Sequence, residues 1–449
     1  MEKDLIQYIQ DAGIVGAGGA GFPTHVKVNA KVEYVIVNGA ECEPLLRVDQ
    51  QLMAEKSFEI LSALNIVMKV AGAIKGYVAL KKKYREAIFV LEKVKDEFQS
   101  IEIFPMGNFY PAGDEQVTVY EVTKRIVPEG GIPLDVGVIV INVETLLNVY
   151  NAIRNIPVTE KYLTVTGAVR NPVTIRVPIG ISIQEAIDLA GGAVIENYKV
   201  IDGGPMMGKV VDDLQKPVTK TTKGLIILPE GHSLLRSKEK DMNTMLRMAK
   251  TACMHCSLCT EVCPRNLLGH KLHPDKLIRL ASYNSTCEKE ASATEAFLCC
   301  ECALCEYACV MDLQPWKLHI LLKNQMNALG IKNPNKRKPQ AVHPYRQYKQ
   351  FPVRKLIAKL DLDHYDVEAP LKEVESLDFK QVKIALKQHI GAKANPIVRV
   401  GAFVEKGQLI GTIEEGKLGA KIHASIAGVV EKIDDCYIEI KGVSAIEVR

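Results

Sequence analysis

Cys253-Met-His-Cys-Ser-Leu-Cys-Thr-Glu-Val-Cys-Pro264 and Cys299-Cys-Glu-Cys-Ala-Leu-Cys-Glu-Tyr-Ala-Cys309 share one spacing, C-x2-C-x2-C-x3-C. Three closely spaced thiolates can wrap one face of a cuboidal [4Fe-4S] cluster, while the fourth, leaving on a helix, reaches across to a partner cluster. The expected pairing is therefore crosswise. Cys253, Cys256, Cys259 and Cys309 would hold one cluster, and Cys299, Cys302, Cys305 and Cys263 the other. Zinc is the competing reading, but it prefers two C-x2-C pairs parted by a longer loop over two complete four-cysteine runs. Cys300 and Cys287 fall outside the repeat. Cys300 reads as a packed thiol beside a cluster and Cys287 as a surface one.

Outward from this region, the rest of the chain narrows the possibilities. Of 12 cysteines, all but Cys42 and Cys436 lie between Cys253 and Cys309. That clustering, without an export signal at Met1-Glu2-Lys3-Asp4, argues for metal rather than a disulfide scaffold. With 449 residues there is room for roughly three domains. The formal net charge of +4 is small, and cysteine-ligated clusters would reduce it, so nothing argues for nucleic acid. No apolar run approaches the roughly 18–20 residues of a transmembrane segment. A cytoplasmic location, or peripheral docking, is expected. Residues 271–281 read as a helix, making 240–330 a ferredoxin-like two-cluster region with an inserted helical segment.

Upstream, Gly16-Ala-Gly-Gly-Ala-Gly21 satisfies G-x-G-x-x-G, with Glu41 and Glu43 about twenty residues later. The context is not that of an ordinary dinucleotide turn. A polar helical stretch over 2–11 stands where a strand should, and Phe22-Pro23 follows where a helix should begin. What remains is a glycine loop that brings backbone N–H groups close to a flat or phosphorylated ligand. Apolar runs at 34–38, 77–80 and 136–142 read as strands, and 55–71 and 84–98 as helices. This alternation predicts a Rossmann-like α/β domain over about 1–155.

Four motifs in this domain resemble, in order, the FMN and NADH site of the flavoprotein subunit of respiratory complex I, and more closely the RnfC group. They are Gly16-Ala-Gly-Gly-Ala-Gly-Phe-Pro-Thr24, Asn38-Gly-Ala-Glu-Cys-Glu-Pro44, Tyr110-Pro-Ala-Gly-Asp-Glu115 and Asn142-Val-Glu-Thr145. The resemblance implies that Gly16, Gly18, Gly19 and Gly21 lie against FMN, with Lys27 near its phosphate. Asn38, Asn142 and Thr145 would bond its polar edges, and Tyr110, Gly113, Asp114 and Glu115 would close the pocket. Phe22 would stack on the adenine of NADH, with Glu41 and Glu43 facing flavin and nicotinamide nucleotide and Glu43 nearest the hydride transfer. Ala17 and Ala40 replace an Arg and an Asp of the complex I pattern, which leaves NADH fewer partners than the flavin. Cys42 sits among acidic neighbours that disfavour its thiolate, and no redox role is assigned to it.

Residues 162–177 alternate apolar and polar side chains around Gly167 and Asn171-Pro172, the pattern of a hairpin, and 183–190 read as a helix. Residues 156–230 resemble the β-grasp (SLBB) module that follows the flavin domain in these families. Gly203-Gly-Pro-Met-Met-Gly208 is an RnfC-like signature with a structural role, its methionines packing on a neighbouring domain. Lys, Arg and Pro at 333–346 read as an extended linker with solvated charge, within a connecting segment over 331–380. From 381 to 449, short apolar strands between glycines read as a small β structure. Gln388-His-Ile-Gly391 and His423-Ala-Ser-Ile-Ala-Gly428 resemble the barrel-sandwich hybrid of RnfC, without the Met-Lys-Met tip of a covalent carrier.

The expected fold class is thus multidomain α/β: Rossmann-like FMN domain, SLBB module, ferredoxin-like dicluster domain and C-terminal barrel-sandwich hybrid. RnfC proteins usually begin with that barrel. Its terminal position here, in a chain of this length, resembles instead the cobalamin reductases of propanediol-utilisation microcompartments. That resemblance implies NADH as donor, FMN and two [4Fe-4S] clusters as cofactors, and a corrinoid (cobalamin) as acceptor. It also implies a corrinoid adenosyltransferase and shell proteins as partners, inside a bacterial microcompartment. Two alternatives stand beside it: an RnfC-like subunit passing electrons to ferredoxin or another partner, and a non-enzymatic iron–sulfur conduit at a shell. Leu5, Ile6 and Ile9 form an apolar stripe that packs on its own domain or serves as an encapsulation helix.

Overall fold

The computed structural model describes residues 2–283, 291–373 and 379–443. Cys287 lies outside them. The first domain is built on a four-stranded parallel sheet ordered Ile101–Met106, Lys75–Lys81, Tyr34–Gly39 and Val138–Asn142. Val35 and Val37 pack on one face with Leu61, Leu64 and Val67 of the helix Ser57–Ala71. Ile36 and Val140 pack on the other with Val117 and Val119 of the helix Glu115–Thr123. Alternate residues thus enter separate cores, as a parallel sheet covered on both faces requires. Leu5 and Ile9 are buried in the first of these cores, so the apolar stripe of the helix Glu2–Asp11 packs on its own domain.

Strand order decides where a ligand can sit. From Tyr34–Gly39 the chain runs outward through two strands on one side, then returns to place Val138–Asn142 on the other. Between those neighbours the connections diverge, and a crevice opens beyond their carboxyl ends. Asn38 and Asn142 are register partners at that crevice.

A six-stranded mixed sheet follows, ordered Leu371–Glu373, Val173–Pro178, Glu160–Gly167, Gly224–Pro229, Tyr198–Asp202 and Lys209–Val211. Its first two long strands form the expected hairpin. The helix Ile183–Leu189 starts at a reciprocal cap in which Ser182 Oγ accepts from Glu185 N and the Glu185 carboxylate from Ser182 N. The cysteine region is helical, with Met242–Ala252, Pro274–Ser282 and Pro315–Ala328 sharing a core. Pro274 opens the second of these, three residues later than expected, because a proline ring suits the first turn of a helix but not its interior.

The segment after the clusters differs from an extended, solvated linker. Arg337 pairs with buried Glu129 at 2.7 Å and Arg346 with Glu121 at 2.6 Å, so its charges strap it to the first domain. Further on, Phe351–Pro352 pairs with Phe109–Tyr110 and Leu371–Glu373 extends the mixed sheet. The C-terminal module packs the sheet Gln381–Ala385, Tyr437–Gly442, Gly428–Ile433 and Phe403–Val404 with a smaller one of three short strands.

Candidate functional site

A cleft of about 460 Å³ occupies the crevice at Asn38 and Asn142, within the roughly 300–1,000 Å³ typical of small-ligand sites. The structure gathers Gly16, Gly18, Gly19, Gly21, Phe22, Lys27, Asn38, Glu41, Glu43, Tyr110, Gly113, Asp114, Glu115, Asn142 and Thr145 around it. The glycine loop is held from both sides. Ala17 N donates to Thr145 Oγ1 at 2.9 Å, and Lys161 Nζ donates to Ala17 O at 3.2 Å. Lys161 is fully buried and paired with buried Glu144, whose other oxygen accepts from Tyr162 N at 3.2 Å. The mixed sheet thereby clamps the first domain at its ligand loop.

Helix starts fix the far wall. Asn142 Oδ1 caps Val143–Ile153 by accepting from Glu144 N, and Asp114 caps Glu115–Thr123 by accepting from Gln116 N and Val117 N. Asn142 Nδ2 donates to Asp49 Oδ2 at 3.0 Å, Asn38 Nδ2 to Gly113 O at 2.8 Å, and Lys27 Nζ to Glu115 at 2.7 Å. Asp49 also pairs with Lys223, an ammonium reaching in from the mixed sheet. Burial opposes the Lys223 charge, but Asp49 and Glu41 outweigh it and hold its pKa above the ordinary value. Burial, then the charge of Asp49, raises Glu41. Neither Asp49 nor Lys223 belongs to a recognisable motif; both join the site only through tertiary contact.

These residues fit a flavin. Asp49 Oδ1 is buried without a hydrogen-bond partner among the described residues, leaving an acceptor for a hydroxyl or ring N–H of the ligand. Leu46, Val140 and Ile141 supply apolar wall, and Phe22 stands partly exposed at the rim.

Glu43 has an occupation the sequence did not disclose. Its carboxylate accepts from Met206 N at 2.8 Å and Met207 N at 3.1 Å, pinning the loop Gly203–Gly208 over the cleft. A Cβ on Gly204 would lie 2.1 Å from Glu43 Oε2, which explains a glycine there. Burial raises the Glu43 pKa, partly offset by those two N–H donors. With both oxygens engaged, Glu43 is placed to hold the loop rather than to exchange protons. Cys42 lies half-buried beside Gly113 and its thiol is pushed up to about 11, chiefly by loss of solvent.

The cysteines ring two cavities. Cys253, Cys256, Cys259 and Cys309 line one, and Cys263, Cys299, Cys302 and Cys305 the other, which Cys300 also touches. The two runs fold alike. His255 and Glu301 take positive φ (56° and 59°), as do Ser257 and Ala303 (both 61°). Such left-handed positions in non-glycine residues turn successive N–H groups inward, the concavity that anionic clusters occupy. Each set of thiols surrounds a cavity, which suits a four-iron cuboid.

Cleft and cavity share a wall. Cys300 and Cys302 line both, Tyr110 Oη donates to Cys302 O at 2.9 Å, and Arg265 forks onto Asp114 at 2.6 and 2.9 Å. Arg265 follows the last cysteine of the first run, so the two sites are bolted together by a bidentate pair.

Comparison with known proteins follows the same division. Family models match as the Nuo51 FMN-binding domain over 9–151, the SLBB domain over 162–210, the 4Fe-4S dicluster domain over 252–314 and the RnfC barrel sandwich hybrid domain over 363–448. The chain is 42% identical to cobalamin reductase PduS of Citrobacter freundii, across 98% of this chain and 96% of that protein. It is 37% identical to one subunit of the Na(+)-translocating ferredoxin:NAD(+) oxidoreductase complex of Acetobacterium woodii, over 60% of this chain and 59% of that one. An NAD+-reducing [NiFe]-hydrogenase structure overlays with a TM-score of 0.48 at 19% identity, covering 74% of this chain and 67% of that chain.

Proposed function

This chain belongs to the family of the cobalamin reductase PduS, and from that premise we propose that it oxidises NADH and delivers the electrons singly to a corrinoid. FMN would accept the hydride and release its two electrons one at a time, and two [4Fe-4S] clusters would carry them onward. One NADH gives NAD+, a proton and two electrons, enough to take two Co(III) corrinoids to Co(II) or one to Co(I). The observation that carries the reading is the wall formed by Cys300 and Cys302, common to the cleft and a cysteine cavity.

Each module has a task. The chain would divide into a flavin domain (1–155), SLBB module (156–230), dicluster region (240–330), connecting segment (331–380) and barrel (381–449). Gly16, Gly18, Gly19 and Gly21 leave no side chain between backbone and ligand, and Lys27 supplies positive charge for a phosphate. Asn38, Asn142 and Thr145 orient the polar edges of the ring system, and Tyr110, Gly113, Asp114 and Glu115 close the wall toward the cysteines. Glu41 and Phe22 are assigned to the nicotinamide nucleotide. Glu43 keeps the Gly203–Gly208 loop closed and excludes water, a change from the hydride-side role its motif implies. Cys253, Cys256, Cys259 and Cys309 hold one cluster, and Cys263, Cys299, Cys302 and Cys305 the other.

A reduced corrinoid is the substrate of an adenosyltransferase, which makes such an enzyme a natural partner, and a bacterial microcompartment with its shell the natural setting. Among the described residues no helix is long and apolar enough to cross a membrane. Reconstituted protein should reduce cob(III)alamin with NADH, and Cys256→Ala should lose that activity. A Cys256→Ala protein as active as the parent would remove the clusters from the route, and reduction of ferredoxin but not of corrinoid would replace the acceptor.

A further inference from the structure

A second cleft, of about 400 Å³, lies where three segments meet. Arg236 comes from the helix Ser233–Glu239 and Lys240 from its end; Tyr307 and Cys309 come from the second cysteine run, and Lys359 from the end of the helix Val353–Lys359. Its charge is unbalanced. None of Arg236, Lys240 and Lys359 forms an ion pair among the described residues, and Lys240 Nζ reaches only the backbone oxygen of Asp312, at 3.3 Å. Two carboxylates face the same space. Glu306 accepts from Gln314 Nε2 at 2.9 Å, Trp316 Nε1 at 2.6 Å and Ser237 Oγ, neutral donors that leave its charge in place. It and Asp312 thus set two carboxylates against three cations, and one positive charge is in surplus. A mouth with surplus positive charge attracts an anion.

The wall is what gives this cleft a purpose. Cys309 lines it and also lines the cavity of Cys253, Cys256 and Cys259, the one that does not border the flavin cleft. Anything bound here therefore lies against the outlying cluster position. The surface around Cys256 differs: exposed Met254 and Val310 give it an apolar rim suited to a protein face.

We propose that the Arg236–Lys240–Lys359 cleft is the corrinoid site, taking the phosphodiester of the nucleotide loop of a complete corrinoid and setting the molecule against Cys309. This rests on the corrinoid reductase reading above. A whole corrinoid is too large for the cleft, so the anionic edge enters while the rest of the macrocycle stays at the mouth. Recognition then belongs to the phosphate, and an incomplete corrinoid such as cobinamide, which lacks it, gains nothing from the three cations.

The test is a double charge reversal, Arg236→Glu with Lys359→Glu, at two exposed side chains with no ion-pair partner among the described residues. Unchanged flavin and iron contents establish that the variant folds. Equilibrium dialysis of oxidised holoprotein should show the dissociation constant for cob(III)alamin rising about tenfold or more, with a matching rise in its KM. Cobinamide should bind wild type and variant alike. The site is overturned if cobalamin binds both proteins within about twofold, or if cobinamide binding falls as much as cobalamin binding. A rise in the KM for NADH instead would make the cleft a nucleotide site and overturn it equally. Wild-type protein that neither binds nor reduces cobalamin would sink the functional reading, and this site with it.

Discussion

The flavin cleft and the cysteine rings share a wall, yet they are assembled in opposite ways. Each ring is largely a local product. One run supplies three thiols on a loop whose positive-φ residues, His255 and Ser257 or Glu301 and Ala303, recur at equivalent places, and only the fourth thiol crosses over. The cleft is a tertiary product. Thr145, Lys161, Lys223 and Met206 come from different segments of the chain, and each makes a bond to the glycine loop, the helix Val48–Glu55 or the Glu43 loop that lines the cleft. The rings should therefore tolerate loss of a distant contact, and the cleft should not.

The largest break in this contrast is expected from Lys161→Met. It leaves Glu144 buried with its countercharge gone, a loss of about 3–5 kcal/mol. Flavin should be lost on purification and the melting temperature should fall, while iron content stays near wild type. Adding Glu144→Leu should recover much of the stability, because an apolar pair replaces the orphaned charge. Loss of iron in parallel with flavin would show that the rings depend on the same clamp.

A smaller effect is expected with pH. Lys220 Nζ is buried and donates to Gly13 O and Lys421 O, both at 2.7 Å, tying the glycine-loop domain to the C-terminal module. Burial lowers its pKa to about 7 from 10.5. Between those values the unfolded chain holds a proton that the folded chain has released. Stability should accordingly rise with pH across that window, by up to about 1.4 kcal/mol per pH unit, and fall as pH drops toward 7. Melting scans at several pH values should show the slope in wild type and its loss in Lys220→Met.

Glu43→Gln should cost about 1 kcal/mol, since one of two N–H groups keeps an acceptor. Flavin affinity should weaken modestly and the pH profile of NADH oxidation should keep its shape. A lost limb in that profile would return Glu43 to proton transfer. Least of all, His255→Gly should stabilise the first cysteine loop by about 1 kcal/mol, because His255 is exposed and its φ of 56° strains any side chain. Iron release on heating should shift up slightly with no change in flavin.

What the sequence disclosed follows the same line. The spacing of the runs sufficed to predict which cysteines gather, since it encodes a local loop twice. The glycine loop and the ends of two strands were legible because turn chemistry and apolar runs are local as well. Asp49 and Lys223 were not, because a carboxylate and a lysine outside any motif read as solvated until the fold brings them together. The straps at Arg337 and Arg346 were missed for that reason too: a basic, proline-rich stretch looks unstructured when its partners Glu129 and Glu121 are some two hundred residues away. Glu43 lines the cleft, but what occupies its oxygens depends on the Gly203–Gly208 loop of another module.

On the proposed route the shared wall sets an order of electron flow: a cluster held by Cys263, Cys299, Cys302 and Cys305 would fill first, and one held by Cys253, Cys256, Cys259 and Cys309 second. Freeze-quench EPR of NADH-reduced variants, with dithionite as the reference for total reducible cluster, tests it directly. In Cys256→Ser, NADH should still reduce the remaining cluster at the wild-type rate; in Cys302→Ser, the outlying cluster should stay oxidised on that timescale although dithionite reduces it. Wild-type filling of the outlying cluster in Cys302→Ser would contradict the account.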